Sequence, residues 1–232
     1  MNRSLIIIPT YNEVENIFPL LTVLREKVAF ADVLVVDDSS PDKTREKVLQ
    51  FQRTDDHVFL IDRARKDGLA GAYFAGFEWA IEKGYERVLQ MDADFSHDPD
   101  VAASMLTGLD DHDGCFGTRY AKGGGTSGWS KSRELISRCG NLYATTVLRL
   151  PFKDVTGGYN AWRTDTLRHL DFQKIKSRGY VYQVELKTRA FRAGLRIREI
   201  PFIFRERRSG VSKISGNIIF EAAWRVLKLI NT

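Results

Sequence analysis

Cysteine is scarce in this sequence, and long apolar runs are absent. The 232 residues include 2 cysteines, Cys115 and Cys139, which can form neither a disulfide framework nor a cysteine metal cluster. No run of about 18 apolar residues occurs, so we expect no segment to span a bilayer by itself. The N-terminus lacks the charged and then apolar leader of a signal peptide. These absences favour a cytoplasmic, reducing environment.

Two nucleotide-binding motifs are missing as well. No Gly-x-Gly-x-x-Gly follows the first apolar segment, and no Gly-Lys-Ser/Thr of a P-loop occurs. A bound nucleotide would therefore have to be held by side chains and a metal ion.

Charge is unevenly distributed along the chain. The net charge is +5, and residues 187–232 hold 11 Lys and Arg against 3 Asp and Glu. Such a basic tail indicates either an anionic partner or a solvated helix face. The anionic candidates are a membrane surface, a phosphorylated lipid and nucleic acid. Because the sequence has neither interleaved aromatic motifs nor a recognised nucleic-acid fold, we expect no nucleic-acid partner.

Short apolar segments alternate with helical patterns over the first half of the chain. The apolar segments are residues 5–8, 33–36, 58–61 and 87–91. Ser40-Pro41 and Asp98-Pro99 each resemble a helix start, with a capping side chain before a proline. This alternation predicts an α/β fold with a mostly parallel, Rossmann-like sheet.

Polar side chains follow three of these predicted strands. They are Thr10-Tyr11-Asn12-Glu13, Asp37-Asp38 and Asp92-Ala93-Asp94. Since ligands bind beyond the carboxyl ends of parallel strands, we expect the three groups to converge on one rim. Two carboxylates one residue apart suit a divalent cation that carries a phosphate. The alternative is that Asp94 starts a turn and Asp92 is a solvated strand end; His97 is interpreted as a turn residue.

Two later segments have open interpretations. The glycine-rich residues 123–128 are either a lid that closes on substrate or a surface connection. Residues 217–230 predict an amphipathic helix of about 21 Å, too short for the ~30 Å hydrocarbon core. That helix either packs on the domain or lies in a membrane interface, and we favour partial membrane contact.

Nearly the whole chain resembles the polyprenol-monophosphomannose synthases, also called dolichol-phosphate mannosyltransferases. These are family-2 glycosyltransferases with the GT-A fold. The resemblance rests on Pro9-Thr10-Tyr11-Asn12-Glu13, Val36-Asp37-Asp38-Ser39-Ser40-Pro41-Asp42, Gly68-Leu69-Ala70-Gly71-Ala72-Tyr73, Met91-Asp92-Ala93-Asp94-Phe95-Ser96-His97, Gly117-Thr118-Arg119-Tyr120, Gly179-Tyr180-Val181-Tyr182-Gln183-Val184-Glu185 and Ser209-Gly210-Val211-Ser212-Lys213. It implies a single GT-A catalytic domain over residues 1–215 and a C-terminal amphipathic helix over residues 216–232.

The resemblance also implies roles for individual residues. The nucleoside would be held by Pro9, Tyr11, Glu13, Val36 and Asp38. Asp92 and Asp94 would coordinate Mg²⁺ or Mn²⁺ on the donor diphosphate, with Ala93 in backbone contact. Ser96 stands where some relatives have a glutamine as a further metal ligand. The donor diphosphate and the acceptor phosphate would be gripped by Arg119, Arg133, Arg207 and Lys213.

The implied reaction is inverting transfer of mannose from GDP-mannose to a polyprenyl or dolichyl phosphate. The enzyme would be peripheral, at the cytoplasmic face of a membrane, and a membrane-anchoring subunit is a further candidate partner. One alternative keeps the fold and transfers another hexose, for example glucose from a UDP donor. The other is a non-catalytic module that binds anionic membranes or nucleic acid through residues 187–232.

Overall fold

The computed structural model describes residues 3–177, 179–206 and 223–231. The strands are β1 (Ser4–Thr10), β2 (Ala31–Asp37), β3 (Val58–Asp62), β4 (Arg87–Gln90), β5 (Gly114–Thr118), β6 (Gly125–Ser127), β7 (Asn160–Arg163), β8 (Ile197–Pro201) and β9 (Ile203–Arg205). The α-helices are α1 (Ile17–Lys27), α2 (Thr44–Gln52), α3 (Gly68–Glu82), α4 (Pro99–Thr107), α5 (Lys131–Leu148), α6 (Thr164–His169) and α7 (Val181–Arg192). Residues 223–228 are also helical.

Over the described residues, the central sheet has seven strands in the order β3-β2-β1-β4-β7-β5-β8. Its neighbours pair in parallel except at β7, which runs antiparallel to both β4 and β5. The prediction of an α/β fold with a mostly parallel, Rossmann-like sheet is therefore confirmed.

Strand β1 is buried on both faces, as its continuous apolar sequence predicts. Ile6 and Ile8 belong to an apolar cluster that the helices α1, α2 and α4 cover. Leu5 and Ile7 belong to a second cluster on the opposite face, under α3, α6 and α7. Alternate side chains of a strand point to opposite faces, so this one strand anchors both layers.

One of the two predicted helix starts is correct. The carboxylate of Asp98 accepts a hydrogen bond from the backbone N–H of Asp100, and α4 begins at Pro99. The other prediction, at Ser40-Pro41, is wrong because α2 begins only at Thr44. The hydroxyl of Ser40 donates instead to Asp37 at 2.6 Å and accepts from the backbone N–H of Asn12 at 3.0 Å.

The glycine-rich segment and the end of the chain differ in part from expectation. Residues 125–127 form β6, which pairs in parallel with β9 in a separate two-stranded sheet. Of the predicted C-terminal helix, residues 216–222 lie outside the described part of the chain. The segment 223–231 buries Val226 and Leu229 against α5 and α7. Among the described helices, none is long and apolar enough to cross a membrane.

Candidate active site

The three predicted polar groups lie at one edge of the sheet. Strands β2, β1 and β4 are parallel neighbours, so their carboxyl ends point the same way. The hydroxyl of Thr10, at the end of β1, donates to the carboxylate of Asp37, at the end of β2, over 2.7 Å. Asp37 also accepts from the backbone N–H of Ser40 at 2.8 Å. The expected convergence on one rim is therefore present.

The loop after β1 carries two of the predicted nucleoside-binding residues. The ammonium nitrogen of Lys66 lies 3.3 Å from the ring centroid of Tyr11, a cation–π contact. The backbone N–H of Glu13 donates to the Thr44 hydroxyl at 2.9 Å, which fixes the loop to the start of α2. A half-buried aromatic ring beside a cation is a suitable surface for a nucleoside.

The other predicted nucleoside-binding residues lie deeper. Pro9 and Val36 are register partners in β1 and β2, and Val36 has no exposed surface. Val36 therefore lies beneath the rim and offers no surface to a ligand. The carboxylate of Asp38 is largely buried and accepts from the Arg63 guanidinium at 2.5 Å. Its other oxygen accepts from the backbone N–H of Asp67 at 3.3 Å, so both oxygens of this carboxylate are already engaged within the protein.

Asp92, Asp94 and Ser96 follow β4 in a tight bend. The Asp92 carboxylate is about one-quarter exposed, at 28%, and its Oδ1 lies 3.4 Å from the Tyr73 hydroxyl. Asp94 is buried and accepts from the backbone N–H of Ser96 at 3.0 Å. The Ser96 hydroxyl is buried and has no hydrogen-bond partner among the described residues. Ala93 is buried between the two aspartates.

This donor set fits Mg²⁺ or Mn²⁺. Mg²⁺ usually takes one or two carboxylates and completes its shell with water and substrate phosphate. Within the described ranges no cluster of three or more His, Cys, Asp and Glu side chains could hold a metal without such help. The buried hydroxyl of Ser96, which lies near Asp94 in the chain and makes no hydrogen bond to the described residues, offers a further oxygen ligand. The residues present therefore suit a cation that arrives with a phosphate.

His97 stabilises the acidic bend, which consists of Asp92, Asp94 and Ser96. Its Nδ1 accepts from the backbone N–H of Asp92 at 3.0 Å, and its Nε2 lies 3.9 Å from the Asp92 carboxylate. The imidazole stacks on the Tyr159 ring at 4.6 Å with an interplanar angle of 8°. Burial lowers the pKa of His97, although Asp92 and Asp94 oppose this. His97 lies in a bend, as predicted, but its burial and its bond to Asp92 were not foreseen.

Arg119 is buried and paired. Its Nε and Nη2 donate to the two oxygens of Asp154 at 2.7 and 2.9 Å, and its backbone N–H donates to the same carboxylate at 3.1 Å. Burial opposes the charge of Arg119, but Asp154 raises the guanidinium pKa above its ordinary value. The remaining nitrogen, Nη1, lies 3.5 Å from the Ser137 hydroxyl on α5. Arg119 is thus fixed in orientation rather than freely mobile.

A second buried cation lies under the same loop. Lys187 of α7 has no exposed surface, and its ammonium donates to the carbonyls of Asp154 and Gly157 at 3.1 and 2.9 Å. Burial lowers the pKa of Lys187 to about 8, against the pull of Asp154. The pKa of Asp154 falls to about 2, since Arg119 and Lys187 outweigh the effect of its own burial. The Asp154 carboxylate is therefore a counter-charge for two buried cations, Arg119 and Lys187.

Aromatic rings connect the acidic bend to the cationic side. The ring of Phe204 lies 5.9 Å from the His97 ring and 5.8 Å from the Arg119 guanidinium. Arg133, at the start of α5, lies 4.2 Å over the Trp129 ring and pairs with Glu206 at 3.1 Å. Arg119 and Arg133 both lie over the Trp129 ring, at 5.7 and 4.2 Å, so the structure brings these two predicted cations together. The other two predicted cations, Arg207 and Lys213, lie outside the described residues.

Sequence reasoning missed Asp154, Lys187 and Trp129. Asp154 lies in a polar turn that sequence alone marks as a loop, and its partner Arg119 is 35 residues away. A lysine inside an amphipathic helix is normally solvent-exposed, so nothing local marks Lys187 as buried. The only usable signal was the unusual composition of residues 154–160.

The comparisons with known proteins now define the class. The model of glycosyl transferase family 2 matches residues 5–171. The chain therefore belongs to glycosyl transferase family 2 and is a glycosyltransferase.

Within that class, two similar curated proteins are lipid-phosphate mannosyltransferases. The chain is 45% identical to an undecaprenyl-phosphate mannosyltransferase of Micrococcus luteus, over 97% of this chain and 93% of that protein. It is 38% identical to a polyprenol monophosphomannose synthase of Mycolicibacterium smegmatis, over 97% of this chain and 85% of that protein. The resemblance predicted from the sequence motifs is confirmed.

Solved structures agree on the fold. Glucosyl-3-phosphoglycerate synthase of Mycobacterium tuberculosis, in complex with Mn²⁺, UDP and glucosyl-3-phosphoglycerate, has a TM-score of 0.69 at 15% identity, over 99% of this chain and 78% of that chain. A complex of the same synthase with Mg²⁺ and UDP has a TM-score of 0.68 at 16% identity, over 99% of this chain and 78% of that chain. At this low identity the likeness supports the GT-A fold class and no particular chemistry.

Proposed function

We propose that this protein transfers mannose from GDP-mannose to a polyprenyl phosphate, of the undecaprenyl or dolichyl kind, with inversion at the anomeric carbon. The names of its two relatives support the sugar and the acceptor. The observation that carries the proposal is the acidic bend of Asp92, Asp94 and Ser96 beside the Thr10–Asp37 rim. A nucleotide that lies across that rim would bring its diphosphate to the two carboxylates.

Mg²⁺ or Mn²⁺ would be held by Asp92 and Asp94, with the Ser96 hydroxyl as a further oxygen. When bound, the cation offsets the negative charge that develops on the nucleoside diphosphate leaving group. His97 keeps the bend in place, because its Nδ1 is committed to the backbone of Asp92. Tyr11 and Glu13 would hold the nucleoside, with Val36 packed beneath them in β2.

The acceptor phosphate supplies its own nucleophile. One of its oxygens forms a bond to the anomeric carbon while the bond from that carbon to the diphosphate breaks, and the electron pair leaves with GDP. The second pKa of a phosphate ester is about 6, so the oxygen is already ionised at neutral pH and no general base is needed. This agrees with a buried His97 whose nitrogens serve the fold.

The cationic side chains would offset the repulsion between the donor diphosphate and the acceptor phosphate. Like charges about 4 Å apart repel by about 1 kcal/mol in water and by several times more in a drier site. Arg119 and Arg133, with Arg207 and Lys213 from the adjoining segment, would bind the acceptor phosphate and the donor diphosphate. Because Arg119 is held by Asp154, it presents a pre-oriented nitrogen and loses little entropy on binding.

The proposal also divides the chain. Residues 1–215 would form the catalytic domain, and residues 216–232 an interfacial helix that keeps the enzyme at the cytoplasmic face of the membrane. A membrane-anchoring subunit remains a prediction.

The test is a donor panel with purified protein, undecaprenyl phosphate and either Mg²⁺ or excess chelator. Mannose transfer from GDP-mannose that the chelator abolishes is the expected result. Asp94→Asn should remove metal-dependent donor binding in calorimetry. Asp100→Asn is the matched control, because that exposed carboxylate lies in the first turn of α4 and pairs with Lys27. Equal donor affinity in both variants would contradict the proposed metal site.

The same panel decides between mannose and another hexose. The second candidate is glucosyl transfer from UDP-glucose, since the carboxylate chemistry of Asp92 and Asp94 does not distinguish guanine from uracil. Faster turnover of UDP-glucose than of GDP-mannose would replace the proposed donor and keep the reaction type.

A further inference from the structure

A cationic cavity lies on another part of the molecule. Its volume is about 550 Å³, and it is enclosed by α7, the segment before α7 and the C-terminal segment 223–231. It shares no lining residue with the acidic bend. Its charged lining consists of Lys174, Lys176, Glu185, Arg189, Arg225 and Lys228.

The one carboxylate in this lining is already engaged. Glu185 is buried, accepts from Arg189 at 2.7 Å and accepts from the backbone N–H of Ser177 at 3.1 Å. Lys174 pairs with Asp171 at 2.6 Å, outside the lining. Among the described lining residues, five cations thus accompany one carboxylate. Such a field favours an anion.

Exposed apolar side chains lie beside the cavity on the same segment. Trp224, Leu227 and Ile230 are 62%, 41% and 47% exposed, whereas Val226 and Leu229 are buried against the domain. The ammonium of Lys228, which lines the cavity, lies 5.6 Å from the Trp224 ring. A Trp beside a lysine at an apolar surface is the usual composition of a segment at a membrane interface.

The apolar surface continues onto α5. The hydroxyl of Tyr143 donates to the carbonyl of Ala223 at 3.1 Å, so α5 and the C-terminal segment are in contact. Leu135 and Leu142, one heptad apart on α5, are 63% and 66% exposed. A free phosphate would use only the cavity, whereas a bilayer would use the cations and both apolar surfaces together.

We propose that the cavity receives the phosphate headgroup of an anionic bilayer lipid while Trp224, Leu227 and Ile230 enter the membrane interface. This proposal rests on the proposed function, because that function places the enzyme at a bilayer. It adds that peripheral attachment depends on anionic lipid. Lys176 and Lys228 contribute long-range attraction, which salt screens.

The test compares binding to phosphatidylcholine vesicles with and without phosphatidylglycerol, by co-sedimentation. The wild-type chain is expected to bind the anionic vesicles in a salt-sensitive way and the neutral ones weakly. The double variant Lys176→Gln, Lys228→Gln is expected to bind anionic vesicles roughly thirtyfold less, since each cation near such a surface contributes about 1 kcal/mol.

The matched control is Lys47→Gln, Arg53→Gln, because both residues are exposed, near α2, and the change in net charge is the same. The control should bind like wild type. An equal loss of vesicle binding in both double variants would show that only net charge matters and would overturn the proposal. Binding of inorganic phosphate that displaces the vesicles at millimolar concentration would identify a free-anion site and overturn the choice of a lipid.

Two measurements keep this proposal separate from the proposed function. Fluorescence of Trp224, taken as the difference between wild type and Trp224→Phe, should be quenched by brominated phosphatidylglycerol vesicles without any sugar donor. Turnover with a water-soluble, short-chain polyprenyl phosphate should be the same in wild type and in Lys176→Gln, Lys228→Gln. If no donor is turned over, the proposed function fails, yet the vesicle assay still decides the docking site.

Discussion

Replacing Asp154 by Asn should destabilise the protein far more than removal of an ordinary ion pair. The Asp154 carboxylate accepts from Arg119 at three positions. Its charge also attracts the Lys187 ammonium, which donates to the backbone carbonyl of Asp154. Neither cation is more than slightly exposed. An asparagine would leave Arg119 without its counterion and Lys187 with only the attraction of Glu199, and it would turn an amide N–H₂ or a weaker acceptor toward the guanidinium.

The expected loss is about 3–5 kcal/mol in the free energy of unfolding, the usual result of removing one partner of a buried pair. The pKa of Asp154 agrees with the lower end of this range, because its fall from 3.8 to about 2 corresponds to roughly 2–3 kcal/mol at neutral pH. The melting temperature should fall by roughly 6–20 °C for a chain of this size.

Urea denaturation of the wild type and four variants (Asp154→Asn, Asp165→Asn, Lys187→Met and the double variant Asp154→Asn, Lys187→Met) would test this reasoning. Asp165→Asn is the control, because it makes the same chemical change in an exposed ion pair, that of Asp165 with Arg168 at 2.6 Å. It should change the free energy of unfolding by less than about 1 kcal/mol. In the Asp154→Asn background, Lys187→Met removes one stranded charge, so the double variant should be more stable than the sum of the single losses by about 1 kcal/mol or more. The reasoning is refuted if Asp154→Asn costs no more than the control, or if the two losses simply add.

Two further predictions concern Lys187 and the glycines. Between about pH 8 and pH 10, wild type should gain stability relative to Lys187→Met: the native pKa of Lys187 is about 8 against an ordinary 10.5, so over that range the unfolded chain holds a proton that the native state has lost. A constant difference in urea midpoint across that range would contradict this. Gly76→Ala should destabilise by about 1–3 kcal/mol, since its Cβ would lie 2.6 Å from Cγ2 of Ile7. Gly140→Ala meets no atom within 4 Å and should stabilise α5 by about 0.5–1 kcal/mol. Melting curves that rank these two variants the other way would contradict the packing argument.

Local patterns were sufficient for much of the fold. The apolar run of β1 predicted a strand buried on both faces, because both neighbouring layers need apolar contacts from it. Asp98-Pro99 predicted the start of α4, since a capping carboxylate and a fixed φ act within one turn. At Ser40-Pro41 the same signal failed, because the Ser40 hydroxyl bonds to Asp37 and to the backbone of Asn12 instead. A tertiary partner there outweighed the local preference.

The glycine-rich loop and β7 mark the limit of such patterns. Residues 125–127 become a strand only because β9, far along the chain, offers a parallel partner. Strand β7 is antiparallel and lies between β4 and β5. It has only four residues, too few for an alternation of apolar and polar side chains that would distinguish it from a loop. Pairings between distant segments leave little trace in either segment alone.

By itself the sequence determined the chemistry of the rim: which side chains end β1, β2 and β4, and that the carboxylates of Asp92 and Asp94 stand one residue apart. Tertiary structure decided how those groups are supported. It buried His97 against Tyr159, and it bound Arg119 to Asp154 above Lys187. The physical reason is that a residue type fixes a charge, whereas the cost of burying that charge depends on partners that only the folded chain brings within hydrogen-bond distance.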